Sequence, residues 1–321
     1  MNHILLSTAA ALALTLAAGA ASAQSMGNAA YIEQAGAGNE NSQTQNRGSG
    51  NYTRNLQNGA SNKSTTLQTR GTANKAVSSQ YNTGNTSEQM QTVGDRNELS
   101  SLQTGSGGNF VKQTQSGSTY DRAWANQEGA GNVISQVQTL GENNRMEASQ
   151  SGSANGSTQT QLVSSESRAY IRQVGVDNGA IQGQGGTGLD AQISQSGNAN
   201  SAGQSQAGGY DVASISQTGD RNIVSQTQAG DRNIAAALQN GANNQMIQIQ
   251  IGDENTASSE QYGGSLAGNV GSQRQLGDMN TASLYQNGND NHSIQSQNGT
   301  SNVLGARQEG SGNRNTQTQR R

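Results

Sequence analysis

The stretch Gln217–Gln239, QTGDRNIVSQTQAGDRNIAAALQ, holds two copies of one frame: an asparagine, five residues, a glutamine, then a short spacer containing glycine. Asn222 leads to Gln228 and Asn233 to Gln239, and the same seven-residue unit recurs 26 times, from Asn28–Gln34 to Asn313–Gln319. Gln closes every unit, and Asn opens 22 of them, with Asp121, Ser167, Leu189 and Asp211 in the remaining slots. Successive closing glutamines stand 11 or 12 residues apart, except for 14 between Gln261 and Gln275. A unit of fixed length whose spacers absorb all the variation reads as strand, tight turn, strand. Glycine in the spacer supplies the positive φ that such turns use.

Within a strand, alternate side chains point to opposite faces, so positions 1, 3, 5 and 7 of each unit share one face. Charge identifies that face as the interior. Apart from Asp121 and Asp211, the charged residues fall at positions 2, 4 or 6, in spacers, or in the C-terminal tail. The single Trp, the single Phe and the tyrosines avoid the inward positions too, which implies an interior too thin for a ring.

Units also alternate in kind. Those beginning at Asn39, Asn85, Asn109, Asn132 and every second one thereafter carry Gln at position 5; Thr66 is the exception, in the unit from Asn62. The intervening units carry Ala, Ile, Ser, Leu or Asn there, so the true period is two units, or 22 to 23 residues over most of the chain. An all-β solenoid follows, with about 13 turns that each give one strand to each of two facing sheets. Parallel stacking sets Asn on Asn and Gln on Gln in amide ladders, whereas an antiparallel meander would set Asn against Gln; the solenoid is the favoured reading. At the usual inter-strand spacing the rod is on the order of 60 Å long.

Composition agrees. Hydrophobic residues make up 30% and aromatics 3% of the 321 residues, too little for a globular core, so ordering must rest on repeated hydrogen bonds. With no Cys there is neither disulfide support nor thiol chemistry, and a net charge of −3 argues against nucleic acid as a partner. An apolar run from Ile4 to Ala18, followed by Ala21-Ser22-Ala23, reads as a secretory signal over residues 1–23. The repeat region is then 24–321, and none of it is apolar for long enough to span a bilayer.

After cleavage only residues 24–27 precede the first unit, and only Arg320 and Arg321 follow the last, so no cap is expected at either end. An open strand edge recruits further strands, which points to an unbranched polymer of the chain with itself. The absence of Pro fits, since Pro would remove a ladder donor. The residues expected to carry stacking are Asn28, Gln34, Asn39 and Gln45 in the first turn, Asn222, Gln228, Asn233 and Gln239 mid-chain, and Asn302, Gln308, Asn313 and Gln319 in the last.

The pattern Gln-x-Gly-x-x-Asn-x-Ala-x-x-x-Gln, seen at Gln228–Gln239 and in looser form along the whole repeat region, resembles the curlin repeat of bacterial curli subunits. The resemblance implies a functional amyloid of biofilm matrix at the cell surface. It also implies a secretion pore in the outer membrane and a nucleating subunit as partners. Within the family a nucleator is the second reading. Outside it, the rival is a monomeric solenoid that binds a regular surface such as ice or polysaccharide. Such a binder needs one residue type repeated outward, and the outward positions here are mixed (Tyr52, Arg54, Leu56; Lys63, Thr65, Leu67).

Other signals are weaker. Asp95, Asp220, Asp231, Asp253 and Asp278 lie in spacers, but calcium-binding nonapeptide solenoids carry Asp in every turn, so solvated gatekeeper charges are the preferred reading and no metal is expected. Outward Tyr31, Tyr52, Phe110, Trp124, Tyr170 and Tyr285 are candidate surface contacts. His292 stands without a nucleophile or recurring carboxylate partner, and Gly183–Gly186 has no helix to follow it, so neither an enzyme nor a phosphate or cofactor site is expected.

Overall fold

The computed structural model describes residues 27–105, 107–263 and 267–321. The expected secretory segment 1–23 lies outside them. The described residues form 26 strands, numbered in chain order from β1 (Ala29–Ala35) and β2 (Glu40–Asn46) to β25 (Val303–Ser311) and β26 (Arg314–Arg320). Odd-numbered strands make one sheet of 13 and even-numbered strands a second, each stacked in chain order. All pairing is parallel and in the register of the repeat: β1 meets β3 (Tyr52–Ala60) with Gln34 on Gln57, and β10 (Val133–Thr139) meets β12 (Gly156–Leu162) with Gln136 on Gln159 and Gln138 on Gln161. The chain is therefore a β-solenoid, and the antiparallel meander is excluded.

Burial follows the alternation. In β10, Ile134, Gln136 and Gln138 are buried while Val133, Ser135, Val137 and Thr139 face outward. The apolar part of the interior between the sheets holds small or aliphatic side chains and, among the described residues, no ring: Ile171, Ile193, Ile215 and Ala237 of the odd sheet pack on Ala180, Ala202, Val224 and Met246 of the even one. Apolar cover is thin, and the buried set is dominated by amides. Their hydrogen bonds, each worth roughly 1 kcal/mol net, add along the stack.

The turns correct one expectation. Glycine is expected to supply the positive φ, yet among the described residues 23 non-glycine residues also lie in the left-handed region, including Ser61, Arg221, Arg232 and Ser301, each directly before a unit-opening Asn. The arrangement costs about 1 kcal/mol per residue. It is held by stacking, because the N–H of Arg232 donates to Gly209 O at 2.8 Å and that of Ser61 to Ala37 O at 2.9 Å, one turn back. The spacer glycines have a second, steric reason. A Cβ on Gly36, Gly129 or Gly152 would stand 1.8, 1.9 or 2.0 Å from the carbonyl oxygen of the next turn's glycine.

Candidate functional site: the amide ladders and their ends

The closing glutamines form one ladder on each sheet. In the odd sheet Nε2 of Gln34, Gln57 and Gln80 donates to Oε1 of the glutamine one turn on, at 2.6, 2.9 and 2.9 Å; Gln217 to Gln239 continues at 3.0 Å and Gln286 to Gln308 at 2.8 Å. In the even sheet Gln45 donates to Gln68 at 2.9 Å and Gln228 to Gln250 at 2.9 Å. The second amide N–H crosses the rod: Gln228 reaches Val212 O at 3.0 Å and Gln239 reaches Ile223 O at 3.1 Å. Up to the last turn, where Gln319 Oε1 has no partner, these glutamines tie successive turns together and the two sheets to each other.

Asparagine forms the side-chain stack the sequence suggests, with Asn222 Nδ2 donating to Asn200 Oδ1 and Asn244 Nδ2 to Asn222 Oδ1, each at 3.1 Å, and it adds bonds to the backbone. Asn222 Oδ1 accepts the backbone N–H of Asn244 at 3.1 Å, and Asn222 Nδ2 donates to Gly241 O at 2.9 Å. Asn233 does the same toward Asn255 and Gly252. In the first turn Asn28 Oδ1 accepts from Asn51 N and Asn39 Oδ1 from Asn62 N. In the last, the N–H groups of Asn302 and Asn313 donate to Asn280 and Asn291. Asn is the clamp of the turn: too short to cross the core, it spans the corner that Gln cannot.

A third ladder was visible in the sequence as an alternation but was not counted among the candidate residues. Position 5 of the even sheet runs Gln89, Gln113, Gln136, Gln159, Gln182, Gln204, Gln226, with Nε2 to Oε1 distances of 2.8 to 2.9 Å. Thr66 interrupts it. The Thr66 hydroxyl donates instead to Asn55 Oδ1 at 3.2 Å, which leaves the buried Gln89 Oε1 without a donor. Asn55, in β3, stands where Ser78 and Ser101 occupy the following turns and fills part of the space that Thr66 vacates. Replacing both, Thr66→Gln with Asn55→Ser, is expected to add about 1 kcal/mol to stability, measured by denaturant unfolding.

The four departures from Asn behave differently. Ser167 keeps an acceptor, taking the N–H of Leu189 at 3.2 Å, whereas the side chain of Leu189 has none to offer. Asp121 and Asp211 accept the N–H of Asn144 and Asn233, each at 2.8 Å, but Oδ2 of each has no hydrogen-bond partner. Burial pushes the Asp121 carboxyl up to about 6, against the opposing pull of the Asn144 N–H. Asp211 is likewise pushed up to about 6, by burial first and then by the nearby carboxylates of Asp231 and Asp253.

The spacer aspartates do more than face water. Asp95 accepts from both the N–H and the hydroxyl of Thr72, bonds that hold its carboxyl below the ordinary range. Asp231, Asp253 and Asp278 each accept a backbone N–H from the preceding turn, at 2.8, 2.8 and 3.0 Å. Among the described residues no cluster of His, Cys, Asp or Glu is arranged to hold a metal ion, and no helix is long and apolar enough to cross a membrane.

The Gln ladders donate toward the C-terminal end and the Asn side-chain ladder donates back toward the N-terminal end, so the rod is chemically polar. At its ends some groups lack the partners that the same groups have elsewhere: Asn41 Nδ2 and Gln43 Oε1 in the first turn, and Asn302 Oδ1 in the last. Asn28, Gln34, Asn39 and Gln45 are half-buried, Asn222, Gln228, Asn233, Gln239, Asn302 and Gln308 are buried, and Asn313 and Gln319 lie at the exposed final strand. No protein-family model matches the chain, and no curated protein is detectably similar to it.

Proposed function

We propose that this chain is a secreted structural subunit of curli-like amyloid fibres, polymerising end-on by templated stacking at the bacterial cell surface to support adhesion and biofilm cohesion. One observation supports this most: among the described residues, β1, β2, β25 and β26 each pair on one side only, so both sheets stop at edges that still carry ladder groups. A growing edge needs no separate active site. An incoming chain adds strands to it, and the Asn, Gln and backbone groups of the exposed turn set the register. A nucleating subunit and an outer-membrane pore are the partners such a fibre requires.

Incubation of the processed chain, with dye binding and fibre diffraction as readouts, tests the reading. Fibres with a meridional reflection near about 4.8 Å are expected; a chain that stays monomeric overturns the proposal. Ladder variants should separate two effects. Gln161 is buried and bonded to Gln138, Gln184 and Ser167, so Gln161→Ala should lower stability by about 2 to 3 kcal/mol. Gln34→Ala or Gln319→Ala should cost less stability yet slow seeded elongation more. Equal effects on elongation would count against growth at the ends.

A further inference from the structure

We infer that the last turn of one copy docks on the first turn of a second copy in a single register, Asn302 on Asn28 and Asn313 on Asn39, and that two Arg–Glu pairs select this head-to-tail joint. The inference rests on the polymer reading above and specifies its interface. Carrying the pairing of Thr281 with Val303 and of His292 with Arg314 one turn further sets Arg307 beside Glu33, and Arg314 beside Glu40, of the second copy. Both glutamates already show that one turn is within ionic reach, since Glu33 lies 3.8 Å from Arg54 and Glu40 lies 3.9 Å from Lys63. Joining like ends would bring carboxylates together, or guanidinium groups together.

The same register supplies the missing hydrogen-bond partners. Asn302 Oδ1 meets the N–H of the second copy's Asn28, as Asn280 Oδ1 meets the N–H of Asn302 at 3.1 Å. Asn315 donates to Ser293 Oγ at 3.0 Å, so its Oδ1 is the acceptor placed opposite the unpartnered Nδ2 of Asn41. Gln317 donates to Gly305 O at 3.0 Å and has a second amide N–H for the unpartnered Oε1 of Gln43. The spacers match in length, four residues each, so Gly310 falls on Gly36 and the glycine column continues. Gly310 has no backbone within 4 Å of an added Cβ, whereas Gly288, one turn earlier, has Gly310 O at 1.9 Å. Gly305 faces Tyr31, which leaves the ring space. Arg321 against Arg47 is the one like-charge meeting, and it lies in the spacer beyond the paired strands.

Charge reversal tests the joint. One variant carries Glu33→Lys and Glu40→Lys; the other carries Arg307→Glu and Arg314→Glu. With each exposed pair contributing up to about 1 kcal/mol, each variant alone should elongate about fivefold to twentyfold more slowly than wild type at low ionic strength. The deficit should shrink at about 1 M salt. An equimolar mixture of the two should recover most of the wild-type rate, because every joint between unlike variants again sets opposite charges together; the recovery also shows that both variants fold. Wild-type rates for each variant alone, or no recovery in the mixture, overturn the joint while leaving the polymer intact. A wild-type chain that forms no fibre overturns both.

Discussion

A Gly175→Ala chain is expected to lose the rod's continuity near its middle, with destabilisation above about 4 kcal/mol. Two independent terms act. Gly175 has φ +122°, where a Cβ is strained in any surroundings, and that Cβ would sit 2.0 Å from Gly197 O. The obstacle is backbone in the next turn, which cannot move without breaking the pairing of β13 (Arg168–Val176) with β15 (Asp190–Asn198). In a stack stabilised by nearest neighbours the damage should stay local. Hydrogen exchange should therefore show protection lost in the turns around Gly175 and Gly197 and retained toward both ends. Gly203→Ala is the control: this outward glycine has open space around it and an ordinary backbone, so its replacement should change stability by less than about 0.5 kcal/mol. Equal effects of the two would refute the close-stacking account.

Stability should fall as pH rises from about 4 through about 6, and the two ladder aspartates should be the cause. Asp121 and Asp211 hold their protons to about 6 in the folded chain, against 3.8 for an ordinary carboxyl. Between those values the folded state binds protons that the unfolded state has released, so stability is fully present below the lower value and declines as pH passes the upper one. Each group contributes at most about 3 kcal/mol to this change. The structural reason is that a protonated Oδ2 regains a donor where the Nδ2 of asparagine donates in neighbouring turns. Asp121→Asn with Asp211→Asn should flatten the profile and raise stability above pH 7, measured by denaturant unfolding across that range. A profile that keeps its slope in the double variant would assign the dependence elsewhere.

Much of this was legible because a solenoid repeats its physics in its sequence. The seven-residue unit, the alternation of inward and outward positions and the two-unit period follow from parallel in-register stacking, which sets the same demand on the same position in every turn. Thr66 and the four slots without Asn were visible as exceptions for the same reason. What each exception does was not visible. That Ser carries an acceptor and Leu does not is plain from the letters, but that the Ser167 hydroxyl takes the N–H of Leu189 is seen only in the stack. The proton held by Asp121 depends on burial between sheets, a property of the assembled stack. Left-handed non-glycine residues such as Ser61 and Arg232 are not legible in the sequence because the carbonyls that hold them belong to the preceding turn, over 20 positions back.

By itself the sequence determined the fold class, the number of turns and which side chains face inward. Periodicity is a one-dimensional record of contacts between neighbouring turns, and charge avoids the dry side. Only the tertiary structure decided how the amides are used. Gln is long enough to reach both the next turn and across the core to the opposite strand, while Asn reaches the neighbouring turns at the corner and does not cross the core. The tertiary structure also fixed the direction of each set of donors, Gln toward the next turn and Asn Nδ2 back to the Asn of the preceding one, and with it the difference between the two ends. That direction is set by how whole turns stack, so no single unit of the repeat contains it.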